Sequence, residues 1–323
     1  MLIRLLPLVL LGACSTTVTP VADECLPLAG RVSAQRLEVD VRQLTREGPR
    51  RSPARRQATA AWLTAQLTDA GWSVQRRPYV VAGVAGENVV GRGTNARVLV
   101  GAHLDSAPQS PGADDNASGV AAVLELTRVL GPGVAVDVAF FDTEEPHSGT
   151  VGRDGRNFAY GSQALVDQGV AYDVVFVVES VGYTCRDVGC QRLPSGIPRT
   201  AATEKGDFIA LVGNHGGARR WATAADGFRK ALGSRYGVVP VTVPGTGRSI
   251  QQSRFSDHAP FWDVGVDALM ITDTALLRNP HYHKASDTPD TLDLAFLVDV
   301  TRATVIVVAD AARACGSGST PTP

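Results

Sequence analysis

The histidines and carboxylates of this chain collect at one repeated kind of place, directly after short apolar runs. Val98-Leu-Val-Gly-Ala102 leads into His103 and Asp105, and Gly112-Ala-Asp114-Asp115-Asn116-Ala-Ser-Gly119 follows that loop. Val138-Ala-Phe-Phe141 leads into Asp142, Glu144 and Glu145, and Val175-Phe-Val-Val178 into Glu179. Ala268-Leu-Met-Ile271 leads into Asp273, then His281 and His283. Imidazole mixed with carboxylate is a zinc donor set, whereas calcium and magnesium favour oxygen alone. Taken singly, each piece has a blander explanation. A lone His-x-Asp is commonly a satisfied surface histidine, Glu-Glu a solvated pair, and Asp-Asp-Asn a turn or helix cap. Glu179 is harder to dismiss, because an acidic side chain that ends a near-continuous apolar strand must be paired or ligated. The recurrence at successive strand ends is what points to a metal site.

Such a site needs a sheet whose strand ends share one rim, since ligands of open α/β sheets bind beyond the carboxyl ends of the strands. Helical spacing covers about 33–46 and 53–70, the second with Ala60, Leu63, Leu67 and Ala70 on one face. Strands are then expected at 97–102, 134–141, 174–178, 208–212, 238–243 and 268–272, with helices at 117–130, 157–166, 218–232 and 292–314. The Val- and Ile-rich runs barely alternate, as befits strands buried on both faces. Alternating strands and helices imply a three-layer α/β/α sandwich around a mainly parallel sheet. Residues 184–205 lack periodicity and read as an ordered loop near the site.

Length and composition fit an ordinary globular protein with one domain at residues 31–315: 323 residues, 44% hydrophobic and 20% charged. A net charge of −1 gives no electrostatic case for nucleic acid or an anionic membrane as partner. The N-terminus reads as an export signal at 1–13, with Arg4 ahead of an apolar run too short to span a bilayer. Leu11-Gly-Ala-Cys14 resembles the lipobox of bacterial lipoproteins, which makes Cys14 the expected lipid attachment and 14–30 a lipidated tether. The expected location is the cell envelope, with membrane contact only through that anchor. Four cysteines remain, an even number suited to an oxidising compartment. Three pairings are possible; the short loop between Cys185 and Cys190, and termini that lie close together in compact domains, favour Cys185–Cys190 with Cys25–Cys315. Residues 316–323 read as a disordered tail.

In order along residues 97–292, the motifs resemble the co-catalytic zinc aminopeptidases, secreted bacterial leucyl-type enzymes. Wider relatives include glutamate carboxypeptidases, glutaminyl cyclases and a receptor ectodomain. The residues that carry the resemblance are Gly101-Ala-His-Leu-Asp-Ser106, Gly112–Gly119, Glu144-Glu145, Glu179, Ser256-Asp-His258 and Asn279-Pro-His-Tyr-His-Lys-Ala-Ser-Asp-Thr288. The resemblance implies two zinc ions. His103, Asp115 and Glu179 would hold one, and Asp115 would bridge to a second completed by Glu145 and His283. It implies that Asp105 orients His103 from behind and that Glu144 is the general base on the attacking water; the residues alone do not choose between Glu144 and Glu145. A cis peptide between Asp115 and Asn116 is a further implication.

Some members carry a tyrosine three residues before Ser-Asp-His that helps stabilise the oxyanion; here Ser253 stands there, so another group or the zinc must do so. Glu179 takes a position that is Asp in many members, and either can ligate. His281 competes with His283, which the family spacing to Asp287-Thr288 favours. His147, His215 and His258 are expected not to ligate. The expected activity is release of N-terminal residues from peptides by a monomeric enzyme. Other amide chemistry on the same scaffold (carboxypeptidase, dipeptidase or glutaminyl cyclase) and a non-catalytic receptor-like module are the alternatives. A complete ligand set disfavours both the one-zinc cyclase and the receptor.

Overall fold

The computed structural model describes residues 19–147, 156–169, 171–194, 200 and 203–315. The export signal, Cys14 and the tail beyond 315 lie outside them. Helices α1 (Ala34–Thr45) and α2 (Pro53–Asp69) come first, each started by a serine: Ser33 Oγ accepts from Arg36 N, and Ser52 Oγ from Arg55 N. Strands β1 (Ser73–Val81) and β2 (Val84–Arg92) form an antiparallel hairpin across Ala82 and Gly83, both at positive φ. The expected series then follows, with one short helix, α6, that was not expected: β3 (Val98–His103), α3 (Gly119–Leu130), β4 (Val136–Phe141), α4 (Tyr160–Asp167), β5 (Val174–Glu179), β6 (Phe208–Asn214), α5 (Ala218–Leu232), β7 (Gly237–Val243), α6 (Ala259–Asp263), β8 (Ala268–Thr272) and α7 (Leu294–Ala311).

The eight strands form one mixed sheet in the order β1-β2-β4-β3-β5-β8-β6-β7. The central strands β4, β3, β5 and β8 are mutually parallel, so their carboxyl ends share one rim. Alternate side chains pack to opposite layers. Val98, Val100 and Ala102 of β3 join the larger core with α1, α2, α3, α5 and α7, while Leu99 joins the smaller core with Leu165, Phe261 and Trp262 of α4 and α6. This is the three-layer sandwich expected from the strand–helix alternation.

Two further features depart from the sequence-based expectation. The β1–β2 hairpin was not anticipated. The segment read as a tether is folded well before residue 31: Asp23–Arg31 is a 3-10 helix, with Val21 and Cys25 buried against α7. Cys25–Cys315 ties that segment to the end of α7, and Cys185–Cys190 closes the short loop after β5. Among the described residues no helix is long and apolar enough to cross a membrane.

Candidate active site

The expected ligands sit at strand ends or in the loops that follow them. His103 is the last residue of β3 and Glu179 the last of β5. Glu144 and Glu145 follow β4, and Asp115 lies in the turn of Ala113–Ser118 that leads into α3. The Asp115–Asn116 peptide is cis, as the resemblance implied. Left-handed backbone at non-glycine residues clusters here: Thr143 precedes Glu144, Ser180 follows Glu179, and His283 itself adopts φ 58°. Each costs on the order of 1–3 kcal/mol and persists only where the surroundings over-determine it.

The side chains converge on Asp115. Its Oδ1 lies 3.2 Å from His103 Nε2, and its Oδ2 lies 3.1 Å from His283 Nε2. Glu179 Oε2 is 3.4 Å from His103 Nε2, and Glu145 Oε2 is 3.2 Å from His283 Nε2. Two potential metal-binding groups result, His103-Asp115-Glu179 and Asp115-Glu145-His283, sharing one carboxylate. Glu144 belongs to neither. The ring nitrogens of His103 and both carboxylate oxygens of Glu145 are buried with no hydrogen-bond partner. Such groups are costly to bury unless something coordinates them, and a cation held by nitrogen and oxygen donors fits both.

The charges agree with that fit. Burial pushes the Glu145 carboxyl up to about 7, with Asp115 adding to the rise and His283 opposing it. Burial disfavours the charged form of His283, but Asp115 and Glu145 outweigh it and raise its pKa to about 10. Burial likewise raises Glu144 well above the ordinary carboxyl range, with Glu179, Asp257 and Glu145 adding to the effect. Carboxylates therefore outnumber imidazoles in a water-poor site, an arrangement that divalent cations relieve.

Surrounding contacts hold these groups in place. Asp105 accepts from the backbone N–H of Glu144 at 3.0 Å and of Glu145 at 3.2 Å, and it faces His103 Nδ1 at 3.5 Å. It thus braces the glutamate loop as well as the imidazole. Asp287 accepts from Asp114 N at 2.9 Å and Asp115 N at 3.2 Å, fixing the backbone that carries the shared Asp115 carboxylate. Ser256 Oγ donates to Glu179 Oε2 at 2.7 Å. Asp142 and Asp273 stand apart from the two groups: Asp142 pairs with Arg56 Nε at 2.7 Å, and Asp273 accepts from Tyr183 N and Ala275 N. His281 turns to Ser286 Oγ at 2.9 Å, and His258 to the Ser253 carbonyl at 2.7 Å.

One residue had no role assigned from sequence. The Tyr282 ring stacks on His283 with centroids 3.8 Å apart. Burial raises its phenol pKa well above normal, and Asp115, Glu145, Glu144 and Glu179 reinforce that, so it stays protonated beside the acidic cluster. The only available signal was adjacency to a candidate ligand. Tyr282 also borders an apolar pocket of about 120 Å³ between Glu179 and one face of β6, β7 and β8, floored by Phe208, Val212, Val243 and Met270.

Comparison with known proteins agrees with this geometry. A curated Escherichia coli protein, YfbL, whose function is uncharacterised, is 31% identical over 83% of this chain and 85% of its own length. The probable lipoprotein aminopeptidase LpqL of Mycobacterium tuberculosis is 32% identical over 61% of this chain, which spans 39% of that longer protein. Among solved structures, the zinc aminopeptidase BSAP of Bacillus subtilis superposes with a TM-score of 0.66 at 15% identity, covering 87% of this chain and 95% of that one. The Porphyromonas gingivalis glutaminyl cyclase gives 0.64 at 21% identity, covering 90% of this chain and 100% of that one. These structural likenesses establish the shared fold. The sequence pattern of peptidase family M28 matches residues 80–308, the span that holds both three-residue groups, and the chain belongs to that family.

Proposed function

We propose that this protein is an exported zinc aminopeptidase that removes single bulky, apolar N-terminal residues from peptides. The observation that carries the reading is Asp115, whose two oxygens face two imidazoles and divide the site into two three-residue halves beside one apolar pocket. His103, Asp115 and Glu179 would hold one zinc, and Asp115, Glu145 and His283 the other. When bound, such a pair acts as a Lewis acid on the scissile carbonyl and acidifies water. Glu144, outside both groups and buried, takes the proton of the attacking water and passes it to the leaving amine. Asp105 keeps Glu144, Glu145 and His103 in register.

The Tyr282 hydroxyl has no hydrogen-bond partner among the described residues and is free to donate to the developing oxyanion, the part left open by Ser253. Removing one such donor costs about 10²–10³-fold. Tyr282→Phe should therefore lower kcat on that scale at unchanged zinc content. Steady-state kinetics with metal analysis tests this, and an undiminished kcat would remove Tyr282 from the reaction.

The pocket sets the preference. Among the described residues Glu179, assigned to zinc, is the only charged one lining it, so a charged substrate side chain would meet no counter-ion there. Peptides beginning with Leu, Met or Phe should be cleaved well above those beginning with Lys, Glu or Gly, and blocking the α-amine should abolish release. A panel of free and N-acetylated peptides, analysed by mass spectrometry, decides the matter. Pyroglutamate formation from Gln-initiated peptides, without amino-acid release, would favour the cyclase reading instead.

The anchor reading rests on the Leu11–Cys14 motif, and the likeness to LpqL, a probable lipoprotein aminopeptidase, supports it. Cys14→Ser should move the protein from the membrane fraction to the soluble one. Persistent sedimentation with membranes would discard the anchor. Both three-residue groups come from one chain, which supports a monomer as the proposed working form.

A further inference from the structure

Arg50 lies in the link between α1 and α2 and is 0% exposed. Its guanidinium donates only to main-chain carbonyls: Nε to Leu104 at 2.8 Å, Nη1 to Pro111 at 2.6 Å and Leu44 at 3.4 Å, and Nη2 to Gly112 at 3.2 Å and Asp105 at 3.5 Å. Its own N–H donates to Ser106 Oγ at 3.0 Å. Among the described residues no carboxylate pairs with it. A buried charge without a carboxylate partner is expensive, so the arrangement needs a reason.

The accepting carbonyls supply one. Except for Leu44, they belong to two loops: Leu104 and Asp105 directly follow His103, while Pro111 and Gly112 directly precede the turn that carries Asp115. Contact between these loops is tight. Gly112 adopts φ 66°, and a Cβ there would lie 2.7 Å from Ser106 Cβ and 3.1 Å from Arg50 Nη2. We propose that Arg50 is a positioning residue for the metal centre: it clamps the loop after His103 to the loop before Asp115 and so sets the spacing of those two ligands. The inference rests on the zinc reading above.

Geometry and charge make opposite forecasts for its removal. A cation close to Asp105, Asp115 and Glu145 repels zinc, so a residue acting only through charge would, when neutralised, let zinc bind more tightly. A clamp, when lost, lets the ligands drift apart, and supporting contacts of this kind are worth about 10–100-fold in metal affinity. Lysine keeps the charge but offers three donors on a point-like head instead of a planar five-donor fork. Arg50→Lys therefore separates the two roles.

The experiment strips metal from the full chain and titrates zinc against a chromophoric chelator, for the parent, Arg50→Lys and Arg50→Met. Circular dichroism and thermal melting of the metal-free forms run alongside. The clamp predicts about 10–100-fold weaker zinc binding in Arg50→Lys, with a metal-free fold like the parent's. Parent-like affinity in Arg50→Lys overturns it, as does tighter binding in Arg50→Met. If Arg50→Met does not fold, the lysine variant decides; if metal-free Arg50→Lys does not fold, Arg50 serves the fold and the proposal is rejected. A parent that binds no zinc fails the metal reading itself, a different outcome.

Discussion

Glu144→Gln should retain the parent's zinc while kcat falls by at least about 10²–10⁴-fold, the usual contribution of a general base. Glutamine keeps the size and polarity of the side chain but cannot accept the proton. Glu144 stands outside both three-residue groups, so the change leaves the ligands untouched, and KM should move little. The neighbouring Glu145→Gln should behave differently. Glu145 Oε2 lies 3.2 Å from His283 Nε2, inside the second group, and a neutral amide there weakens that half of the centre. Excess zinc should partly restore Glu145→Gln and do nothing for Glu144→Gln. Zinc stoichiometry and titration on both variants read this out. Metal loss in the first with retention in the second would reverse the two roles.

Asp115→Asn should be more damaging than the loss of any single histidine. Asp115 alone belongs to both groups, with one oxygen turned to each imidazole. An amide supplies one neutral oxygen and turns an NH2 donor toward the other half, so both metals lose an anionic ligand together. Zinc content should drop toward zero and activity below detection, whereas His283→Ala should still hold metal at His103, Asp115 and Glu179. Metal analysis after gel filtration distinguishes them. An Asp115→Asn protein that keeps two zincs would mean that the carboxylate is not the bridge.

The same residues show how much was readable from sequence. Strands β3, β4, β5, β6 and β8 announce themselves because strands buried on both faces must be continuously apolar, and the ligands announce themselves because they interrupt or end those runs. The β1–β2 hairpin gave no such signal: Gln75-Arg-Arg-Pro78 lies on a largely exposed edge, and its turn uses Ala82-Gly83 in place of the Asn-Gly or Asp-Gly pair that marks a two-residue turn. Residues 14–30 looked like a tether because they open on the polar stretch Ser15-Thr-Thr-Val-Thr-Pro20; the attachment of residues 23–31 comes from Cys25–Cys315 and from α7, at the far end of the chain. At the site, the residues alone offered Glu144 and Glu145 as equals; the resemblance separated them, and in the structure it is Glu145 that faces His283. Tyr282 and Arg50 were invisible for a shared reason. One is an aromatic beside a ligand and the other an arginine in an arginine-rich stretch, and neither type betrays that it is enclosed.

The measurement that bears most directly on the central claim is a zinc titration of the metal-stripped full chain, followed by release of leucine from a leucyl peptide. A dinuclear aminopeptidase predicts no release without metal, activity that reaches its plateau at about two zinc equivalents per chain, and no release from the N-acetylated peptide. A plateau at one equivalent, or release that ignores the N-acetyl block, would contradict it.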